Sequence, residues 1–179
     1  DSLLFIGTLY MQKGILTLLE NYLEAYKINK NILPLNLIGG GNELEIVKNW
    51  VIENKLSHKI HVHGPIFDLN VKAKYFEKAF VCLSPVQAGL SVLESFGYGV
   101  PFITMHDSIT GGERLNIRDG INGILMKELS DLKSIIIDIS ENRMKYIQMG
   151  QNARKYYEEN SKPIDMANGL LKAINYVMR

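Results

Sequence analysis

Short unbroken apolar runs alternate along the chain with longer stretches whose apolar residues recur three and four positions apart. The first run, Leu3 to Ile6, stops at Gly7. After TLYMQKG comes a helical pattern on Ile15, Leu18, Leu19, Tyr22, Leu23 and Tyr26, one stripe of an amphipathic helix. Pro34 precedes a second run, LNLI, which ends in Gly39, Gly40 and Gly41. A helix is predicted over 42–55 with Asn42 as its N-cap, then a strand KIHVH ending at Gly64–Pro65. A short helix over 71–78 leads into the fourth strand, 79–83. The next stretch, SPVQAGLSVLESFGYGVP, breaks at Pro85, loosens through Ala88 and Gly89, and restarts as a helix at Ser91. Residues 101–105 form a fifth strand and 124–126 a sixth, separated by a glycine-rich loop. Helical patterns follow over 132–139 and 144–159, and a last helix starts at Pro163, where proline suits the first turn.

Strand and helix alternate five times before the helical tail. Short, wholly apolar strands each followed by a helix imply a parallel sheet covered on both faces. The expected fold class is therefore α/β, a doubly wound Rossmann-like sheet of about six strands in the order 3-2-1-4-5-6 with a helical C-terminal tail. In that order the first and fourth strands are neighbours, and ligands bind in the crevice at their carboxyl ends. Lys13 follows the first strand and Gly89 to Ser91 follow the fourth, so the order brings a lysine and a helix start to one crevice.

Composition narrows the function classes. Of 179 residues, 46% are hydrophobic and 22% charged, as in an ordinary globular protein. A net charge of +1 argues against a nucleic-acid-binding module, which would carry a concentrated basic face. The single cysteine, Cys82, lies in an apolar run and reads as a buried thiol; no disulfide framework forms within one chain, which fits a reducing compartment. No apolar run approaches bilayer length and no signal peptide is visible. The sequence starts at DSLLFIG, directly on a strand and without methionine, and is read as a piece of a longer polypeptide holding part of an active site.

Several motifs invite a chemical reading beside a bland one. GTLYMQKG departs from a Walker loop, because Gln12 precedes Lys13 and Gly14 follows it, so ATPase-type chemistry is not expected. The triple glycine lacks the third glycine of a dinucleotide fingerprint, yet three glycines at a strand end imply close backbone approach to a ligand. Ser91 and Glu94 match the S-x-x-E capping box, and from spacing alone capping is the leading role for Glu94. His61 and His63 point to one face of the third strand, but a third metal ligand at suitable spacing is missing, so packed or edge histidines are expected. The closing helices, with Met144, Ile147, Tyr156, Tyr157, Met166, Leu170 and Ile174, are expected to pack against the sheet.

FIGTLYMQKG, LNLIGGGNELE, SPVQAGLSVLESFGYGVPFIT and GGERLNIRDGINGIL together resemble the carboxyl-terminal domain of the retaining, family 4 (group 1) glycosyltransferases of the GT-B fold. The resemblance covers nearly the whole chain. It implies that residues 1–160 bind a nucleotide-sugar donor and that 161–179 form a C-terminal helix packing on them. The acceptor-binding N-terminal domain would lie outside this sequence.

Carried over position by position, the resemblance makes Lys13 and Glu94 the catalytic residues. It gives the diphosphate to Thr8, Lys13 and the amides of Gly89, Leu90 and Ser91. Glu94, as the second acid of an E-x7-E pattern, takes the ribose hydroxyls, and Gly64 and Ile66 lie beside the base. Two positions depart from the family. Thr8 stands where an arginine is usual, and Val86 stands where the first acid, which touches the transferred sugar, is usual. Gln87 and Glu113 are the substitutes the sequence offers.

The implied function is retaining, hexosyl-type transfer from a UDP- or GDP-linked sugar to a polysaccharide or lipid-linked glycan. The implied setting is cytoplasmic, at the inner membrane face. Neither a cofactor nor a metal is expected, since oriented amides and a cation can meet the charge that develops on the leaving nucleoside diphosphate. The competing reading is a non-catalytic nucleotide-binding or scaffolding module, motivated by Val86 and Thr8. A sugar-nucleotide epimerase would carry more acids and histidines around the crevice than these loops offer.

Overall fold

The computed structural model describes residues 2–178, so Asp1 and Arg179, the outer ends of the two expected segments, lie outside the described residues. Six strands, β1 (Ser2–Ile6), β2 (Leu35–Ile38), β3 (Ile60–Gly64), β4 (Ala79–Leu83), β5 (Phe102–Met105) and β6 (Gly123–Met126), form one sheet. Every pairing is parallel and the order is β3-β2-β1-β4-β5-β6. This is the doubly wound arrangement expected from the alternating rhythm. Around it lie α1 (Ile15–Ile28), α2 (Leu44–Glu53), α3 (Leu69–Phe76), α4 (Ser91–Gly97), α5 (Asp131–Glu141), α6 (Arg143–Asn160) and α7 (Pro163–Val177).

Side-chain alternation along β1 explains why the sheet is covered twice. Leu3 and Phe5 face a core shared with Ile15, Leu18 and Leu19 of α1, Val47 of α2 and Leu132 and Ile136 of α5. Leu4 and Ile6 face the opposite core, with Phe76 of α3, Val92 and Phe96 of α4 and Ala153 of α6. Each fully buried Leu, Ile or Phe contributes roughly 1.5–3 kcal/mol relative to exposure, so β1, buried at all five positions, anchors both layers. Cys82 lies in the second core, and burial pushes its thiol up to about 12, the inert buried group its apolar run implied.

Local chemistry moved several expected boundaries. Asp68 accepts from the amides of Asn70 (2.8 Å) and Val71 (3.0 Å), so α3 starts at Leu69 and ends at Phe76, not at 71 and 78. Asn42 does not cap α2; the N-cap is Glu43, which makes no side-chain cap bond and whose amide donates to the Leu9 carbonyl at 3.1 Å. The tail departs most from expectation. In α6 Tyr146 and Met149 are buried, and Tyr156 and Tyr157 pack against the second core as expected, but Met144, Ile147, Met166, Leu170 and Ile174 are exposed, and α7 has no buried residue. Its amphipathic pattern made a helix, but the apolar face of that helix is left exposed.

The triple glycine fixes the ends of the strands that carry the site. The Gly7 amide donates to the Ile38 carbonyl (3.0 Å), Leu9 to Gly40 (2.8 Å) and Gly39 to Gly64 (2.9 Å). A Cβ on Gly39 would overlap the Gly7 carbonyl, and one on Gly41 would overlap the Leu9 carbonyl. Backbone meeting backbone thus already requires glycine at these two positions. Gly39→Ala should therefore destabilise the chain by at least ~1–3 kcal/mol, the range for overpacking a tight contact, with urea denaturation as the measurement. An unchanged midpoint would show that the loops part easily.

Candidate functional site

The site is built where the loops after β1 and β4 meet. After Gly7 the chain makes a single 3-10 turn, Met11–Lys13, closed by Gly14 in the left-handed region (φ 66°). Gly14 also has to be glycine because a Cβ there would overlap the Val86 methyl Cγ2. The turn swings Lys13 back under the end of β1, leaving the residue only 8% exposed. A Cβ on Gly7 would stand 3.7 Å from the Lys13 Nζ, and one on Gly89 would stand 4.0 Å from the same atom. The two distant turns share one gap, as the strand order required.

Facing the ammonium, the chain passes from Gly89 into α4. Among the described residues the amides of Gly89, Leu90 and Ser91 have no protein acceptor, while Val92 already bonds back to Gly89 at 2.9 Å. The Leu90 side chain is exposed at 73%, so what it can offer the gap is its backbone. The Ser91 hydroxyl is buried without a partner. The capping-box reading of Ser91 and Glu94 therefore fails. The N-cap is Leu90, in helical conformation and without a side-chain cap, and the Glu94 carboxylate pairs instead with Lys72 of α3.

Two adjoining cavities follow the end of β1. A polar one of about 340 Å³ is lined by Tyr10, Lys13, Lys72, Ser91 and Glu94. A second, about 530 Å³, is lined by Ile38, the triple glycine, Pro65, Ile66 and Phe67. Ile6, Gly7, Thr8 and Lys72 border both. Thr8 and Ile66 thus lie at the site, while Gly64 turns the chain toward it (φ 71°) without lining either cavity. Sequence reasoning missed Lys72 and Tyr10, because one is a polar residue on an unremarkable short helix and the other lies in a loop without a motif. A cavity of about 560 Å³ at the opposite end of β4, between Glu77–Phe80 and α6, brings no such convergence of amides and buried cation.

The residues considered as substitutes for an acid at Val86 are engaged elsewhere. Val86 packs on Gly14. The Gln87 amide oxygen accepts from the Tyr10 hydroxyl. Glu113 accepts from the Thr110 hydroxyl (3.1 Å) and the Gly111 amide (2.9 Å), close enough to Lys13 to favour its charged form. His63, exposed on the edge strand β3, bonds Asn36 (2.7 Å) and Tyr75 (3.2 Å), the edge position among the roles expected of it.

Burial sets the electrostatics. Desolvation pulls the Lys13 pKa below its usual 10.5, opposed by Cys82 and Glu113. Among the described residues no carboxylate lies within 4.0 Å of its ammonium. A buried cation beside a turn whose three amides lack a protein acceptor among the described residues is suited to receive an anion with several oxygens.

The family model described as "Glycosyl transferases group 1" matches residues 1–142. An uncharacterised glycosyltransferase of Methanocaldococcus jannaschii, MJ1069, is 29% identical over 164 residues, which is 89% of this chain and 41% of that protein. The chain thus spans less than half the length of the curated relatives it matches. Among solved structures, the pneumococcal O-GlcNAc transferase GtfA in complex with UDP and GlcNAc superposes with a TM-score of 0.80 at 20% identity, over 99% of this chain and 36% of that one. The C-terminal domain of a group 1 glycosyl transferase (LpcC) from Francisella tularensis gives 0.76 at 18% identity, over 90% and 86% of the two chains. Anabaena Alr3699/HepE in complex with UDP gives 0.79 at 17% identity, over 98% and 48%. These likenesses establish the fold.

The buried cation gives a stability prediction with a definite sign. Between the lowered pKa and 10.5 the unfolded chain holds the Lys13 proton more tightly, so this group's contribution rises with pH across that window. Below the window the cost of burying charge is fully present. Lys13→Met should therefore raise stability at pH 7 by about 0.5–2 kcal/mol, as relief of a functional site commonly does, and the gain should shrink toward pH 10. Urea titrations at both pH values test this; a variant less stable than the parent at pH 7 would overturn it.

Proposed function

The chain belongs to the group 1 glycosyltransferases, and within that family we propose that it is the donor-binding half of a retaining, family 4 enzyme. It holds the nucleoside diphosphate of a UDP- or GDP-linked sugar. A further part of the full protein, outside this sequence, presents a polysaccharide or lipid-linked glycan acceptor at the cytoplasmic membrane face. The observation carrying this reading is the Lys13 ammonium, set between the Gly7 and Gly89 turns and opposite amides without acceptors.

The chemistry follows from where charge develops. As the bond between sugar and phosphate breaks, negative charge accumulates on the departing diphosphate. A preoriented cation and amides in a partly desolvated cleft stabilise that charge more than they stabilise the ground state. In this reading Lys13 and the amides of residues 89–91 hold the diphosphate beside Thr8. Glu94 accepts from the ribose hydroxyls, and the base lies in the apolar cavity against Ile66, with Gly64 setting the course of the chain toward it. No helix among the described residues is long and apolar enough to cross a membrane; the membrane contact proposed for the full protein is peripheral.

A non-catalytic binding module is the second reading, favoured by the Val86 side chain packed on Gly14 and by Gln87 and Glu113 being engaged within the chain. Turnover separates the two. The full protein given a panel of nucleotide sugars should release nucleoside diphosphate and transfer sugar, whereas tight nucleotide binding without either would establish the module. For the site itself, calorimetry with UDP and GDP should show Lys13→Ala losing roughly 1.5–3 kcal/mol of binding, the scale of a hydrogen bond to a charged group. Unchanged affinity would remove Lys13 from the site.

A further inference from the structure

From the ion pair that joins α3 to α4, we propose that Lys72 is a positioning residue that aims the Glu94 carboxylate at the ribose diol and so makes the site selective for ribonucleotides. The proposal rests on the donor-site reading above and deepens it. Lys72 and Glu94 pair across the mouth of the cleft, with side chains only 18% and 31% exposed. Lys72 borders both the polar cavity, which holds Lys13, and the apolar one beside Ile66. A ribose joins the base to the diphosphate, so the boundary between the two cavities is where it belongs.

Glu94 needs such a partner. It caps nothing, because the N-cap of α4 is Leu90 without a side-chain bond. A glutamate on a short helix has three rotatable bonds to immobilise before it can meet a pair of hydroxyls. Lys72 engages Oε1, and among the described residues no protein group bonds Oε2. An ionised carboxylate offers about four acceptor positions. One is taken by the ammonium, leaving enough on the same group for two vicinal hydroxyls. Lys72 also adds a second cation beside Thr8, although its committed partner is the carboxylate rather than a phosphate.

The test compares UDP, GDP and ADP with their 2′-deoxy counterparts, and with inorganic pyrophosphate, by calorimetry on the whole chain. The parent should prefer at least one ribonucleotide by ~10-fold or more, the worth of a hydrogen bond to a charged acceptor. Lys72→Met should cut that preference to ~3-fold or less while leaving pyrophosphate affinity within about 2-fold, which also reports that the cleft is folded. Lys72→Arg, which keeps the charge, should restore part of the preference. The proposal is overturned by an unchanged ribose preference in Lys72→Met, by a matching loss of pyrophosphate that would make Lys72 a phosphate contact, or by an arginine variant no better than methionine. A parent chain that binds none of the three diphosphates removes the donor-site reading itself. Parent binding with an undisturbed preference in Lys72→Met removes only the role of Lys72.

Discussion

A lysine ammonium held under the end of the central strand is the constraint on which the rest of the site depends. Burying a cation without an ion-pair partner is costly, and among the described residues no carboxylate comes within 4.0 Å of Lys13 to offset that cost. The turn that does so needs Gly14 in the left-handed region, the Val86 methyl packed against it, and a β1 fixed in both cores. What the arrangement provides is potential. A cation and unbonded amides in a place of restricted solvent are more effective toward a multiply charged anion than the same groups would be on a surface.

Around that centre the fold divides labour by strand end. The loops after β1 and β4 supply the charged and polar groups, those after β2 and β3 the apolar wall, and α3 reaches over both with Lys72. The glycines after β2 serve this division indirectly. They let two loop backbones interlock, which holds the Gly7 turn that borders both cavities where the sheet puts it.

The comparison of pattern with structure turns on range. Strand order, the convergence of Lys13 with residues 89–91 and the buried state of Cys82 were all legible, because each follows from periodicity or from a topological rule. Glu94 was misread from spacing. The S-x-x-E signature is local, and a lysine from another helix outcompeted the helix's own amides. Val86, Gln87 and Glu113 could be named as positions, but not that each is occupied within the chain. The exposed face of α7 shows the same limit, since amphipathicity says that a helix has an apolar side and not what covers it.

By itself the sequence determined the layered fold and the two turns, because short-range pattern and chain connectivity are written residue by residue. Only the tertiary structure decided that Lys72 meets Glu94, that the triple glycine serves backbone contact, and that the cleft has two connected lobes. Those outcomes depend on which groups from separate elements reach the same place. Side-chain pairing energies of a kcal/mol or so leave no periodic trace in a chain, yet at close range they settle every such competition.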